Sequence, residues 1–268
     1  MNSRISVLPK NFLGRLRSIV PTISSKKEMS HYYEQQESCQ IESLSYLFEL
    51  FFGLKESGTF VEVGANDGKT CSNTWGLAVR NWRGYYIEPI NEYAEKCRDN
   101  HRLNTKVSVH EVAIDDEDEK ELFFSIAGLL TTANSKVASR YETLDWARTS
   151  LTAEKRAVRT KRLDTFLTEQ GIGAAFELLV IDVEGLEKAV LEGFDIDKWR
   201  PKMIIIELTD THPDLAQSSF GDRLISLEIQ KSGYCIVYKD SINTVYLLES
   251  IYMTQSSNLK DQDANPRT

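Results

Sequence analysis

The sequence predicts an α/β fold built on one mostly parallel sheet. Three observations carry that expectation. Short β-rich runs alternate with segments whose apolar residues recur every three or four positions. The first such run, residues 59–63, ends in a loop from Gly64 to Gly68 that leads into a helix. The last two runs, residues 234–238 and 244–248, are joined by only a few residues, which suits an antiparallel pair and rules out a parallel crossover.

The elements follow in chain order. Residues 1–40 read as a basic N-terminal extension, in which Arg4, Lys10, Arg15, Arg17, Lys26 and Lys27 face the single acid Glu28 before residue 30. Phe12, Leu13, Leu16, Ile19 and Val20 make an imperfect apolar stripe ended by Pro21. The plain reading is an extension packed on the domain, and contact with a membrane surface is the alternative. Leu44, Leu47, Phe48, Phe51 and Leu54 predict a helix over 42–54, broken at Ser57-Gly58. A helix over about 71–81 is expected after the glycine loop, then a strand over 85–88 stopped by Pro89. Asn91 is placed to cap the next helix, which runs to about His101. A third strand is expected over 107–114, a fourth over 177–182 and a fifth, apolar throughout and central, over 203–208. Leu186, Ala189, Val190 and Phe194 mark a helix between the last two, and a helix over 221–231 ends at Gly233.

Two stretches break the alternation. Residues 121–125 read as an extra strand, and residues 136–162 read as an insertion. The insertion holds eight basic residues, Lys136, Arg140, Arg148, Lys155, Arg156, Arg159, Lys161 and Arg162, against three acids. The catalytic domain is expected over 41–254, followed by a polar, frayed tail over 255–268.

Composition narrows the class. The chain has 268 residues, 40 acidic and 32 basic, for a net charge of −8, which argues against general nucleic-acid binding. Only 14 Gly and 6 Pro exclude collagen-like and low-complexity classes. The four cysteines, at 39, 71, 97 and 235, lack metal or redox spacing. There is no apolar run of the roughly 20 residues that span a bilayer, and no signal-peptide core, so a cytoplasmic protein is expected. The run 115–121 carries six acids and one Lys, and reads as a solvated turn.

The chemistry concentrates in Val61-Glu62-Val63-Gly64-Ala65-Asn66-Asp67-Gly68. Glycines there let backbone approach a ligand, and the following helix points its N–H groups at the same crevice. Glu88 lies 24 residues after Gly64, at the end of the second strand, where an acid accepts hydrogen bonds from ribose hydroxyls. A dinucleotide fingerprint needs a third glycine that this loop lacks, and Glu62 would repel a pyrophosphate. An acidic site suits S-adenosylmethionine, which carries an ammonium and a sulfonium and no phosphate. No Walker lysine, nucleophile elbow or HExxH is present.

The segments VEVGANDG, GYYIEP, LDTFL, LLVIDVEGLEKAVLEGF and IIIEL, spread over roughly 59 to 210, together resemble the FkbM family of S-adenosylmethionine-dependent methyltransferases. The resemblance implies a class I methyltransferase (Rossmann-like) fold: a seven-stranded, mostly parallel sheet with helices on both faces and an antiparallel last strand. It implies O-methylation of a hydroxyl, on a saccharide, glycan or natural product. It also places the adenine near Val112 and Ala113. This chain has Glu62 where the family commonly has Asp, and Ile87-Glu88-Pro89 where it has Phe-Glu-Pro; both changes keep the acid.

Methylating a hydroxyl needs a base or a metal to accept its proton. Candidates stand after the fourth strand (Asp182, Glu184) and at or after the fifth (Glu207, Asp210, His212). Asp182 is the first choice, as cofactor contact, metal ligand or base, with Glu184 and His212 beside it. Converging acids can hold Mg²⁺ through oxygen. Asn73 and Thr74 are expected to line the cofactor pocket. The basic insertion is expected to act as a lid over an anionic acceptor. The competing readings are a nicotinamide oxidoreductase and a non-catalytic S-adenosylmethionine-binding module.

Overall fold

The computed structural model describes residues 32–41, 43–215 and 220–254. The apolar stripe over 12–20 of the basic extension and the tail over 255–268 lie outside the described residues. The helix α1 (Leu44–Phe52) leads to β1 (Thr59–Val63), α2 (Trp75–Val79), β2 (Arg83–Ile87), α3 (Asn91–His101) and β3 (Val107–His110). There follow β4 (Ala113–Ile114), β5 (Glu121–Ser125), α4 (Ser135–Tyr141), α5 (Asp145–Arg148) and β6 (Lys155–Lys161). The chain continues through α6 (Leu163–Glu169), β7 (Leu178–Ile181), α7 (Glu187–Glu192), α8 (Ile196–Trp199) and β8 (Met203–Glu207). It closes with α9 (Phe220–Lys231), β9 (Tyr234–Lys239) and β10 (Asn243–Leu248).

The main sheet has seven strands in the order β3-β2-β1-β7-β8-β10-β9. Its β1–β2, β2–β3, β1–β7 and β7–β8 pairings are parallel. Only β10 runs against its neighbours, pairing antiparallel with both β8 and β9. The expected seven-stranded sheet with an antiparallel last strand is therefore present. The strand order reverses between β1 and β7, and that switch point opens a crevice at the carboxyl ends of the strands.

The period of two along each strand divides the core between two faces. Val61, Val63, Leu179, Ile181, Ile204 and Ile206 pack on one side with Leu163 and Phe166 of α6 and Ile225 of α9. Phe60, Leu178, Val180 and Ile205 pack on the other with α1, α2 and Trp82. Burying one such side chain contributes about 1.5–3 kcal/mol. Tyr33 and Cys39 belong to the second face, so the packed domain starts before residue 41, earlier than the sequence boundary. Thr244 on β10, in register with Ile206 of the first face, is fully buried, and its hydroxyl finds no partner among the described residues. Thr244→Val removes that unpaired group and is expected to raise stability by about 1 kcal/mol in urea unfolding.

Several local expectations are corrected. Helix α2 starts at Trp75 because Ser72, Asn73 and Thr74 bond the Glu62 carboxylate instead of continuing a helical turn. Asn91 does not cap α3; its amide reaches Glu111, and the Ile90 N–H is taken by Glu88 at 2.9 Å. The third strand is two: β3 stays in the main sheet, whereas β4 joins β6 and β5 in a separate three-stranded sheet. The insertion over 136–162 thus contributes α4, α5 and the central strand of that small sheet. Among the described residues no helix is long and apolar enough to cross a membrane.

Candidate active site

The site grows from the loops after β1, β2, β7 and β8. Gly64 has φ +86°, and a Cβ there would sit 1.7 Å from the Asp182 carbonyl oxygen. The loops after β1 and β7 are therefore in backbone contact. Asp182 N donates to Val63 O at 3.0 Å, and Gly64 N donates to Ile87 O at 2.9 Å. The Glu88 carboxylate accepts from Asn66 N at 2.8 Å with one oxygen and from Ile90 N with the other. It ties the first glycine loop to the start of α3. Each oxygen keeps a further lone pair for a ligand hydroxyl.

These loops enclose a cleft open to solvent. Glu62, Gly64, Ala65 and Asn66 line it from the first loop, and Glu88 and Pro89 from the second. Val112 and Ala113 form an apolar wall with Phe124 and Leu129. Asp182 and Glu184 stand at the acidic end. The apolar wall comes partly from the small sheet, through Ala113 of β4 and Phe124 of β5. Phe124, Leu129 and Cys71 are lining residues that the sequence reading missed.

Other expected site residues sit elsewhere. Asp67 caps its own loop through Lys69 N and Thr70 N, and Gly68 packs against Cys97 and His101. Asn73 and Thr74 are buried and support Glu62: the Asn73 backbone N–H donates to it at 3.4 Å and the Thr74 hydroxyl at 2.5 Å. They hold an acid that faces the cleft and do not line the cleft themselves. His212 is not brought to it either: its Nδ1 accepts from Asp214 N at 3.1 Å and its ring lies 6.2 Å from Trp146. Asp210 is paired with Lys239 at 2.6 Å.

The acids that do converge are Asp182, Glu184 and Glu207, each offering an oxygen within 4.8 Å of the others. They are half-buried. Burial raises the pKa of all three, and mutual repulsion raises Glu184 and Glu207 further. Asp182 and Glu207 are close enough for their two carboxyl groups to share a proton.

None of the eight basic residues of 136–162 lines this cleft. Arg156 pairs with Glu92 and Glu154, Lys161 pairs with Glu169, and Arg140 donates to the Asp214 carbonyl. Arg162 donates to the Asp116 carbonyl and, through its N–H, to Asp118. Lys120 pairs with Asp115 and Asp116, so the acidic run is a turn with internal partners. Arg140, Arg156, Lys161 and Arg162 thus face neighbouring acids and carbonyls.

Burial pushes Glu62, Glu88 and Glu187 up to about 7. A carboxyl with a raised native pKa holds its proton more tightly when folded. Its stabilisation is complete below the ordinary value near 4.5 and is lost as pH rises to about 7. His101 and His110, lowered by burial, act in the opposite sense as pH falls. The acids outnumber them, so the ligand-free protein is expected to melt at a lower temperature at pH 8 than at pH 5.5. Equal Tm at both values would remove these acids from the pH dependence.

The sequence profile of the methyltransferase FkbM domain matches residues 62–234. No curated protein matches the chain in sequence. Solved structures similar in shape include the following three. One, a precorrin-6y C5,15-methyltransferase from Geobacter metallireducens GS-15, is 10% identical with TM-score 0.40, over 80% of this chain and 93% of that one. Another, the Methanococcus jannaschii fibrillarin pre-rRNA processing protein, is 14% identical with TM-score 0.37, over 73% and 68%. A third, the DszA carbon methyltransferase, is 12% identical with TM-score 0.39, over 77% and 51%. At such identities and scores they carry no argument about the site.

Proposed function

Because the chain belongs to the FkbM methyltransferase family, we propose that it moves a methyl group from S-adenosylmethionine to a hydroxyl oxygen of a saccharide or a similar polyhydroxylated natural product. The observation that carries the oxygen assignment is the group Asp182, Glu184 and Glu207, with oxygens within 4.8 Å of one another, beside the glycine loop. A hydroxyl is a weak nucleophile until its proton has somewhere to go.

The residues fit the cofactor. Glu88 is placed to accept from ribose hydroxyls, Val112, Ala113 and Phe124 offer an apolar wall to a base, and Glu62 and Asp182 supply negative charge for a cation. When bound, S-adenosylmethionine supplies an electrophilic methyl carbon on a sulfonium. Gly64 lets the loop come close to it. Asp182 takes the acceptor proton, with Glu184 and Glu207 beside it. Orienting the two partners and excluding water accounts for much of the rate.

The same spacing favours a second reading, in which the three carboxylates hold Mg²⁺ and the ion lowers the pKa of the acceptor hydroxyl. One assay separates the readings. The protein is incubated with methyl-labelled S-adenosylmethionine and a panel of methyl glycosides, with and without EDTA, and the products are mapped by mass spectrometry. A labelled methyl ether, formed equally with EDTA, supports the base. Loss with EDTA and recovery with Mg²⁺ assigns the acids to a metal. Label on carbon or nitrogen, or on none of the panel, overturns the acceptor class.

A further inference from the structure

The segment that the basic charges had suggested as a lid does touch the acidic end of the cleft, through uncharged side chains. Tyr141 of α4 is buried, and its hydroxyl donates to Glu184 Oε2. The Thr132 hydroxyl donates to the Glu184 carbonyl at 2.6 Å, and the Asn134 amide to the Gly185 carbonyl at 2.8 Å. Val137 fills the space beside Gly185, where a Cβ would meet its Cγ2 at 2.5 Å. Four side chains within ten positions of sequence therefore grip two residues of the loop after β7.

The grip is anchored at its far end. The Tyr141 ring lies 6.1 Å from Trp146, whose indole N–H donates to Asp214 Oδ2 at 3.3 Å. Arg140 donates to the Asp214 carbonyl at 2.7 Å. Asp214 belongs to the loop after β8. The segment 132–146 thus spans the two loops that carry the acids.

Glu184 needs such a hold. It stands among Asp182, Glu187 and Glu207, all acids, and repulsion among them favours a side chain turned out to water. We infer that Tyr141 is a positioning residue for methyl transfer, keeping the Glu184 carboxylate turned inward toward Asp182 and Glu207. Thr132 and Asn134 hold the backbone on which that carboxylate stands. The inference rests on the reading of these acids as the machinery that receives the acceptor.

The test uses Tyr141→Phe, which keeps the ring and its packing and removes only the hydroxyl. Expected is a fall in kcat of at least about tenfold, with the calorimetric Kd for S-adenosylmethionine within about twofold of wild type. A purely structural role would lower Tm without that split. The acceptor is the methyl glycoside turned over fastest by the wild type. An unchanged kcat overturns the inference.

A second measurement needs no acceptor. Tm is taken for Tyr141→Phe, Glu184→Gln and the double variant. A double loss that departs from the sum of the single losses supports the contact. Simple additivity overturns it. Failure of every methyl glycoside with the coupling intact counts against the acceptor class and supports the Tyr141 contact.

Discussion

Gly64→Ala is expected to cost at least about 3 kcal/mol of stability and to abolish S-adenosylmethionine binding. Two causes add. The residue sits at φ +86°, where a side chain is strained by about 1–2 kcal/mol. Its Cβ would also lie 1.7 Å from the Asp182 carbonyl oxygen, a backbone atom. Asp182 cannot retreat without breaking its N–H bond to Val63, which ends the β1–β7 pairing. The two loops must then separate, and they form the floor of the cleft. Gly171→Ala, outside the cleft lining, is the control: it has φ +62° and nothing within 4 Å of the added carbon, so about 1 kcal/mol is expected from the backbone alone. Urea unfolding reads the stability and calorimetry reads the binding. Equal effects of the two substitutions would contradict the close approach at Gly64.

Asp182→Asn is expected to lower turnover by about 10²–10⁴-fold while making the ligand-free fold more stable. The amide keeps the shape. It cannot take a proton. Removing one carboxylate from a group that burial and repulsion already push upward relieves Glu184 and Glu207. Activity and stability therefore move in opposite directions. A variant that is less stable and fully active would remove Asp182 from the chemistry.

What was legible in the sequence follows from local rules. The alternation of β-rich runs with three- and four-residue periodicity located all seven strands of the main sheet, and the short link before β10 exposed its reversed direction. Gly64, Glu88, Asp182 and Glu184 were readable because strand ends and glycine loops mark where a crevice opens. The rest depends on contacts that no local pattern records. The break between β3 and β4 arises because Ala113 and Ile114 pair with Thr160 and Lys161, far along the chain. Tyr141 meets Glu184 across 43 positions. Asn73 and Thr74 looked like pocket residues by their place after the glycine loop, yet their neighbour is the buried Glu62 carboxylate, which draws them away from the cleft. The partners of charged side chains are equally non-local: Arg156 pairs with Glu92 and Arg140 donates to the Asp214 carbonyl.

If the cleft at the ends of β1, β2 and β7 receives S-adenosylmethionine, calorimetric titration of the protein with S-adenosylmethionine and with NAD, repeated on Glu88→Ala, gives a clear outcome. Expected are one site for S-adenosylmethionine, weakened at least about tenfold by Glu88→Ala through the lost ribose hydrogen bonds, and no heat from NAD. Binding of NAD alone, or S-adenosylmethionine binding indifferent to Glu88, overturns the cofactor assignment.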